Sequence, residues 1–505
     1  MKNGAIHLLF ALVFAGGLFS SFAAPPDPGW AQIWGDEFDG TATNTNQYGL
    51  NLDNWSCRLP WKNSGGNDRW FSQNDAHWIA DDSSLVTNGT LVIRAQTSPP
   101  TTWPGHSTFD YRTGWTHSSG RFQYTYGYAE TSLQSPNGSA MWPAWWFLGV
   151  GWPPEVDVFE RYPNGQVHQG VYYYAPTNGG GGMWASQWFP SDPIYNMNTY
   201  GFEWSPNFMG FSKNGVIRNG VPTPYSISQP LYMVFSGGVV TNGAGGGSLT
   251  NQSFPADFAI DYVRVYKRAE HLYNGDFSAG FASSGQSDPG FSPAAAWTLA
   301  NTNTTISTNT GPSGGCALVL MNGADSITPS SASQPVYGLV PSARYWVSAN
   351  LKGNGRPVYL GVNWPGGIAE QATTSSIYTN VSFIVTNGLN NTVASVYARL
   401  DAGANVNGNA VNVQIRRAAA VADPGFELNK AVLYWPESYG GYSVATNSRS
   451  GNHCLALTST WSAAQQTIYG LLPNTTYQLS GWINSGGTNC YLGVKILAAR
   501  KQIRL

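Results

Sequence analysis

Residues 153–163 read PPEVDVFERYP, which sets three acids, Glu155, Asp157 and Glu160, within a run of six residues. Val156, Val158 and Phe159 interleave with them, so the stretch reads as a strand bounded by prolines. In a regular strand side chains alternate between faces. Glu155 and Asp157 then share a face, while Glu160, five residues after Glu155, points the other way. Either the third acid is unrelated to the first two, or the strand is irregular. One extra residue between Asp157 and Glu160 would reset the alternation and bring all three acids to one side. Glu155 and Glu160 would then stand like positions i and i+4, with Cα atoms roughly 13 Å apart at about 3.3 Å per residue. Two glutamates leaning towards each other would leave about 5 Å between carboxyls, near the separation used by retaining glycosidases. Taken alone, the pattern fits an exposed charged strand better than a catalytic one.

The rest of the chain narrows the choice. At 505 residues it exceeds one ordinary core and predicts two to four domains. Charged residues make up 10%, against about 25% in soluble domains generally. Polar surface must therefore come from Asn, Thr, Ser and Gly. A formal net charge of -2, with no basic run in the motif-bearing regions, argues against nucleic acid as a partner.

At the N-terminus, Lys2 precedes an apolar stretch from Ala5 to Phe19 and the small-residue segment SSFAA. This predicts a signal peptide over residues 1–24 and a secreted, extracellular or periplasmic protein; the stretch is short for a membrane span of about 20 residues. No later segment is apolar for long enough to cross a membrane. Cys57, Cys316, Cys454 and Cys490 lack zinc-ligand spacing. Cys454 with Cys490 is the one plausible disulfide, and the other two read as unpaired buried thiols.

Strand signals dominate. Runs such as TLVIRAQ (90–96), FAIDYVRVYK (258–267) and YWVSANL (345–351) alternate and are separated by Gly, Pro, Asn and Ser clusters. The class is all-β, most naturally sandwiches. Residues 336–362, VYGLVPSARYWVSANLKGNGRPVYLGV, align without gaps with residues 468–494, IYGLLPNTTYQLSGWINSGGTNCYLGV. GGCALVL (314–320) likewise matches NHCLALT (452–458). Two copies of one β-module, 271–419 and 420–505, therefore follow an N-terminal domain at 30–268. The second copy ends in KILAARKQIRL, where the first continues through further strands to Ala419, so it reads as incomplete.

Just upstream of the acids, MWPAWWFLG (141–149) alternates Trp142, Ala144, Trp146 and Leu148 with Pro143, Trp145 and Phe147. One face thus presents two indoles, which suit the C–H faces of sugar rings; the opposite face suits a core. Of 21 tryptophans, 15 precede residue 269, as a sugar-binding cleft in the N-terminal domain would require.

At this point the chain resembles glycoside hydrolase family 16, the β-jelly-roll endo-glycanases. The matching pieces are, in order, WGDEFDG (34–40), GTLVIRA (89–95), SSGRFQYTYGYAET (118–131), MWPAWWFLG, PPEVDVFE (153–160), YGFEWSPN (200–207) and FPADFAIDYVRVYK (254–267), spread over about half the chain. The resemblance implies an N-terminal jelly roll with Glu155 as nucleophile, Asp157 as its assisting acid and Glu160 as general acid/base. It favours the family's bulged branch, since the unbulged branch has one residue fewer before the last glutamate. Trp142 and Trp146 map onto cleft aromatics, and Trp70, Trp152, Trp184 and Trp188 are further candidate sugar platforms. On QVHQGVYYY (166–174), Tyr172 stands where the bulged enzymes often carry histidine, with His168 four residues earlier on the same face; either is a candidate substrate contact. The family's usual arginine after the YGY-E segment is absent, since Thr131 and Ser132 follow Glu130.

No cofactor is required by this chemistry. Some relatives hold a structural calcium, which would map to Glu37 and Asp261; a plain hydrogen-bonded acid is the alternative. The expectation is a monomeric, secreted, retaining endo-β-glycosidase acting on a polysaccharide, with carbohydrate-binding C-terminal modules. Few basic residues in the motif regions favour a neutral substrate, β-1,3- or mixed-linkage glucan, with agarose or another galactan as the alternative. A dead site on the same fold would make a glucan-binding lectin, and the three acids argue against that.

Overall fold

The computed structural model describes residues 29–418, except 176–179, 190–193, 207, 225–226, 242–246, 251, 279–295 and four short gaps between 301 and 328. It also describes 440–446, 454–459 and 462–465, and for residues 174, 175 and 180–189 the backbone only. The predicted signal peptide, Cys490 and most of the second module copy lie outside these residues. Among the described residues no helix is long and apolar enough to cross a membrane.

The all-β expectation holds. Two sheets make the N-terminal sandwich. The larger has ten strands, with the long Ala256–Arg268 strand joining Gly127–Gln134, Thr90–Thr102 and Trp30–Asp36. The smaller has seven, in the order Gly180–Phe189, Val167–Ala175, Glu155–Arg161, Ala144–Leu148, Tyr232–Ser236, Trp115–His117, Ser56–Cys57. Every strand pairing within this seven-stranded sheet is antiparallel. The main core lies between the sheets and includes Trp145, Phe147, Val156, Val158, Phe159, Phe202 and Val263. Alternation therefore leaves the other face of the seven-stranded sheet to carry the acids.

Residues 297–417 build a second sandwich of two five-stranded sheets around Leu318, Val347, Leu360 and Val396. In it, Thr305–Ser307 pairs with Ala317–Met321. Further on, Tyr442–Ala445 also pairs antiparallel with Cys454–Leu457. Cys57 and Cys316 form no disulfide, and burial pushes the Cys57 thiol up to about 12, which keeps it protonated.

Candidate active site

The acid strand, Glu155–Arg161, is bulged. Glu155, Val156 and Asp157 face Leu148, Phe147 and Trp146, and then Phe159 faces Trp145 and Glu160 faces Ala144, so one residue goes unmatched. The other neighbour slips at the same place, with Asp157 opposite Gly170 and Glu160 opposite His168. Apolar burial accounts for the bulge. Val156, Val158 and Phe159 are all completely buried in the core between the sheets. Two consecutive residues, Val158 and Phe159, thus face inward, and Glu160 returns to the face of Glu155 and Asp157.

Each acid has a distinct setting. Glu155 accepts a hydrogen bond at 2.8 Å from the indole of Trp152, a residue 60% exposed at the rim. Burial pushes its carboxyl up to about 7; the Trp152 bond opposes the shift and the charge of Glu160 adds to it. Asp157 is 3% exposed. Burial first, then Glu155 and Glu160, pushes its carboxyl well above the ordinary aspartate value. Glu160 is gripped on both oxygens: Trp142 donates to Oε1 at 2.9 Å, and His168 Nδ1 lies 2.7 Å from Oε2. Three acids on one face, with Glu155 and Asp157 both pushed towards their neutral forms, make the kind of set that proton-transfer chemistry uses.

Around them the face is aromatic. Trp142 packs on Tyr162 with ring centroids 4.6 Å apart. Tyr172 lies opposite Glu155 with its ring 6.3 Å from Trp152. Trp146 is on the face that the alternation predicted but is only 6% exposed, with Trp115 edge-on at 5.5 Å, Phe71 at 6.3 Å and its indole donating to Ser236. It is part of the floor, not an open platform. Phe71, 49% exposed above that floor, and Tyr232, whose phenol feels the charge of Glu155, are site residues that strand periodicity missed. Phe71 comes from an irregular segment where no periodicity exists to be read.

Trp70 is corrected. It is 2% exposed and its indole donates to the Pro104 carbonyl, so it packs a loop and offers no face to a sugar. Trp184 and Trp188 lie on the Gly180–Phe189 strand opposite Val171 and His168, and their side chains are outside the described residues. At the candidate calcium pair, Asp261 feels the charge of Glu37. Both oxygens of Glu37 accept from the Arg264 guanidinium at 2.7 Å, which supplies the countercharge, and Asp261 is exposed. Among the described residues one set brings three potential metal-ligand atoms within 4.8 Å of one another, Asp157, Glu160 and His168. A carboxylate pair with one imidazole suits a divalent transition ion.

A trough floored by aromatic rings, with paired carboxyls on its wall, is the equipment of a glycoside hydrolase. Comparison with known proteins agrees. Residues 72–245 match the family model for Glycosyl hydrolases family 16. The chain is 28% identical over 395 residues to a keratan-sulfate endo-1,4-beta-galactosidase of Sphingobacterium multivorum, covering 72% of this chain and 82% of that one. It is 23% identical over 292 residues to a beta-glucanase of Rhodothermus marinus, covering 52% and 94%. An endo-beta-1,3-glucanase structure from Pyrococcus furiosus shares 24% identity over 47% of this chain and 94% of that chain, with a TM-score of 0.39. The match to glycosyl hydrolases family 16 lies in the N-terminal sandwich, and the chain is an enzyme that hydrolyses O-glycosyl bonds.

Proposed function

We propose that this protein is a secreted endo-β-glycosidase that cleaves a polysaccharide with retention, by double displacement. The observation that carries the reading is the bulge at Val158 and Phe159, which turns Glu160 onto the face of Glu155. In the first step the Glu155 carboxylate attacks the anomeric carbon, the glycosidic C–O bond breaks, and the Glu160 proton passes to the leaving oxygen. In the second, a water gives its proton to Glu160 and its oxygen to the anomeric carbon, and Glu155 departs as carboxylate. Asp157, whose carboxyl burial pushes towards its neutral form, shares the face of Glu155 and would steady the nucleophile.

Trp152 and Tyr172 at the rim, with Phe71 above the floor, are the aromatic faces on which sugar rings would stack. For the substrate, we place a β-1,4-galactoside-containing chain first, because the relative that acts on keratan sulfate matches well beyond the catalytic half. The second reading is the β-1,3- or mixed-linkage glucan expected from the sequence, favoured by the beta-glucanase relative. The module at 271–419 would hold the enzyme on insoluble polysaccharide.

The test is reducing-sugar release from keratan sulfate, agarose, laminarin and lichenan, with the anomer of the first product read by proton NMR. The expected result is a β-anomeric product on one of them, lost in Glu155→Ala and Glu160→Ala. An α-anomeric first product, or full activity in Glu155→Ala, would sink the mechanism. Binding without any hydrolysis would favour the lectin.

A further inference from the structure

We infer that His168 is a positioning residue for the general acid/base, acting through Glu160 and not on the sugar; the inference rests on the roles proposed above for Glu155 and Glu160. His168 is 2% exposed, too buried to offer an imidazole face to a ring in the trough. Backbone pairing places it directly across from Glu160, on the neighbouring strand. Its Nδ1 meets Oε2 at 2.7 Å, the short end of the range for such a contact. On the other side Trp142 holds Oε1 at 2.9 Å, so the carboxyl plane is fixed from both flanks and cannot rotate without breaking a bond.

The two flanking groups are chemically unequal. An indole N–H only donates, so Trp142 serves the carboxylate form of Glu160 better than the acid form. An imidazole nitrogen can do either. With its proton on Nδ1, the imidazole donates to Oε2, which keeps a lone pair for it in both the acid and the carboxylate form, so the acid O–H stays free to turn towards the leaving oxygen and no proton has to enter or leave the buried ring. Glu160 must occupy both states in one double displacement, and the His168 contact holds its carboxyl plane in each. Tyr162 closes the arrangement by packing edge-on against the imidazole at 5.8 Å and against Trp142, and its phenol also reaches Glu160. A residue of this kind matters through geometry: misplacing a reacting group by about 1 Å can cost about 100-fold in rate.

The prediction separates this role from a substrate contact. His168→Ala should lower kcat on the polysaccharide by about 100-fold, with KM changed less than about twofold. On the matching 2,4-dinitrophenyl β-glycoside, a laminaribioside or a glycoside with galactose next to the leaving group according to which polysaccharide is cleaved, the leaving group needs no proton. There the first-step burst should fall less than about fivefold. His168→Gln, whose amide can also donate or accept, should recover part of the loss, and it decides the matter if His168→Ala fails to give a normal melting curve. A rise in KM with equal losses on both substrates would make His168 a sugar contact and overturn the inference, as would wild-type kinetics in both variants. Glu160→Ala is the control on the underlying reading. It should lose polysaccharide cleavage, keep the dinitrophenyl burst and regain turnover with azide. Wild-type behaviour of Glu160→Ala would remove the acid/base assignment itself.

Discussion

Glu155 has to be ionised to attack, yet burial favours its neutral form. With the carboxyl pushed up to about 7, kcat/KM for the free enzyme should rise with pH and reach half its plateau near pH 7, well above the ordinary glutamate value of 4.5. The same shift enters stability with a definite sign. The folded state binds this proton more tightly than the unfolded one, so the associated stability is complete below pH 4.5 and lost as pH rises through about 7. Glu155→Gln removes the titration and should raise unfolding stability at pH 8 by about 1 to 3 kcal/mol while abolishing turnover. Paired denaturation curves at pH 4 and pH 8 check it: an equal effect at both would contradict the assigned burial cost. The Asp157, Glu160 and His168 set makes a further point at this scale. Carboxyl chemistry needs no metal, so exhaustive dialysis against EDTA should leave activity intact. A loss restored by zinc would give those three residues a second role.

The bulge is the element on which the site depends, and it can be removed. Deleting Val158 gives Glu-Val-Asp-Phe-Glu, a regular strand in which all three acids still alternate onto one face. The deletion takes one fully buried side chain from the core, a cost of about 1 to 3 kcal/mol, but keeps the pairing of Glu160 with Ala144 and His168. The shortened strand should therefore fold, and its loss of kcat should be smaller than that of Glu160→Ala. Equal losses in the two variants would mean that spacing along the strand, not facing alone, sets the chemistry.

This element also marks how far the sequence could be read. The bulge was legible because the acids violated the alternation that Val156 and Val158 imposed, and a broken period is information. The face carrying Trp142 and Trp146 was legible for the same reason. What covers a face is not encoded in the period: Trp146 lies under Phe71 and Trp115, which approach from elsewhere in the chain, and Trp70 is claimed by the Pro104 carbonyl. Glu37 shows the same limit, since nothing near it in sequence announces Arg264 as its partner.

At the scale of the whole molecule, Tyr273 ties the two sandwiches together. Its backbone belongs to the second: Gln334 accepts from its N–H at 2.7 Å and donates to its carbonyl at 2.9 Å, and the Trp297 indole donates to the same carbonyl at 3.2 Å. Its ring belongs to the first, where it is 5% exposed within the main core, 5.7 Å from Tyr126, with its hydroxyl accepting from the Arg268 N–H. The buried ammonium of Lys267 sits 5.2 Å over the ring while donating to the Thr125 and Tyr126 carbonyls. Nearby, Glu270 donates its N–H to the Tyr337 carbonyl and takes the Tyr345 hydroxyl on its carboxylate. Because one residue is shared by two cores, unfolding either sandwich strips contacts from the other. Tyr273→Ala should cost about 3 to 5 kcal/mol, as removal of a buried aromatic does. It should also turn a shared calorimetric transition into two resolved ones, with activity on soluble oligosaccharides preserved below the first. A single unshifted transition in the variant would show that the sandwiches unfold independently of Tyr273.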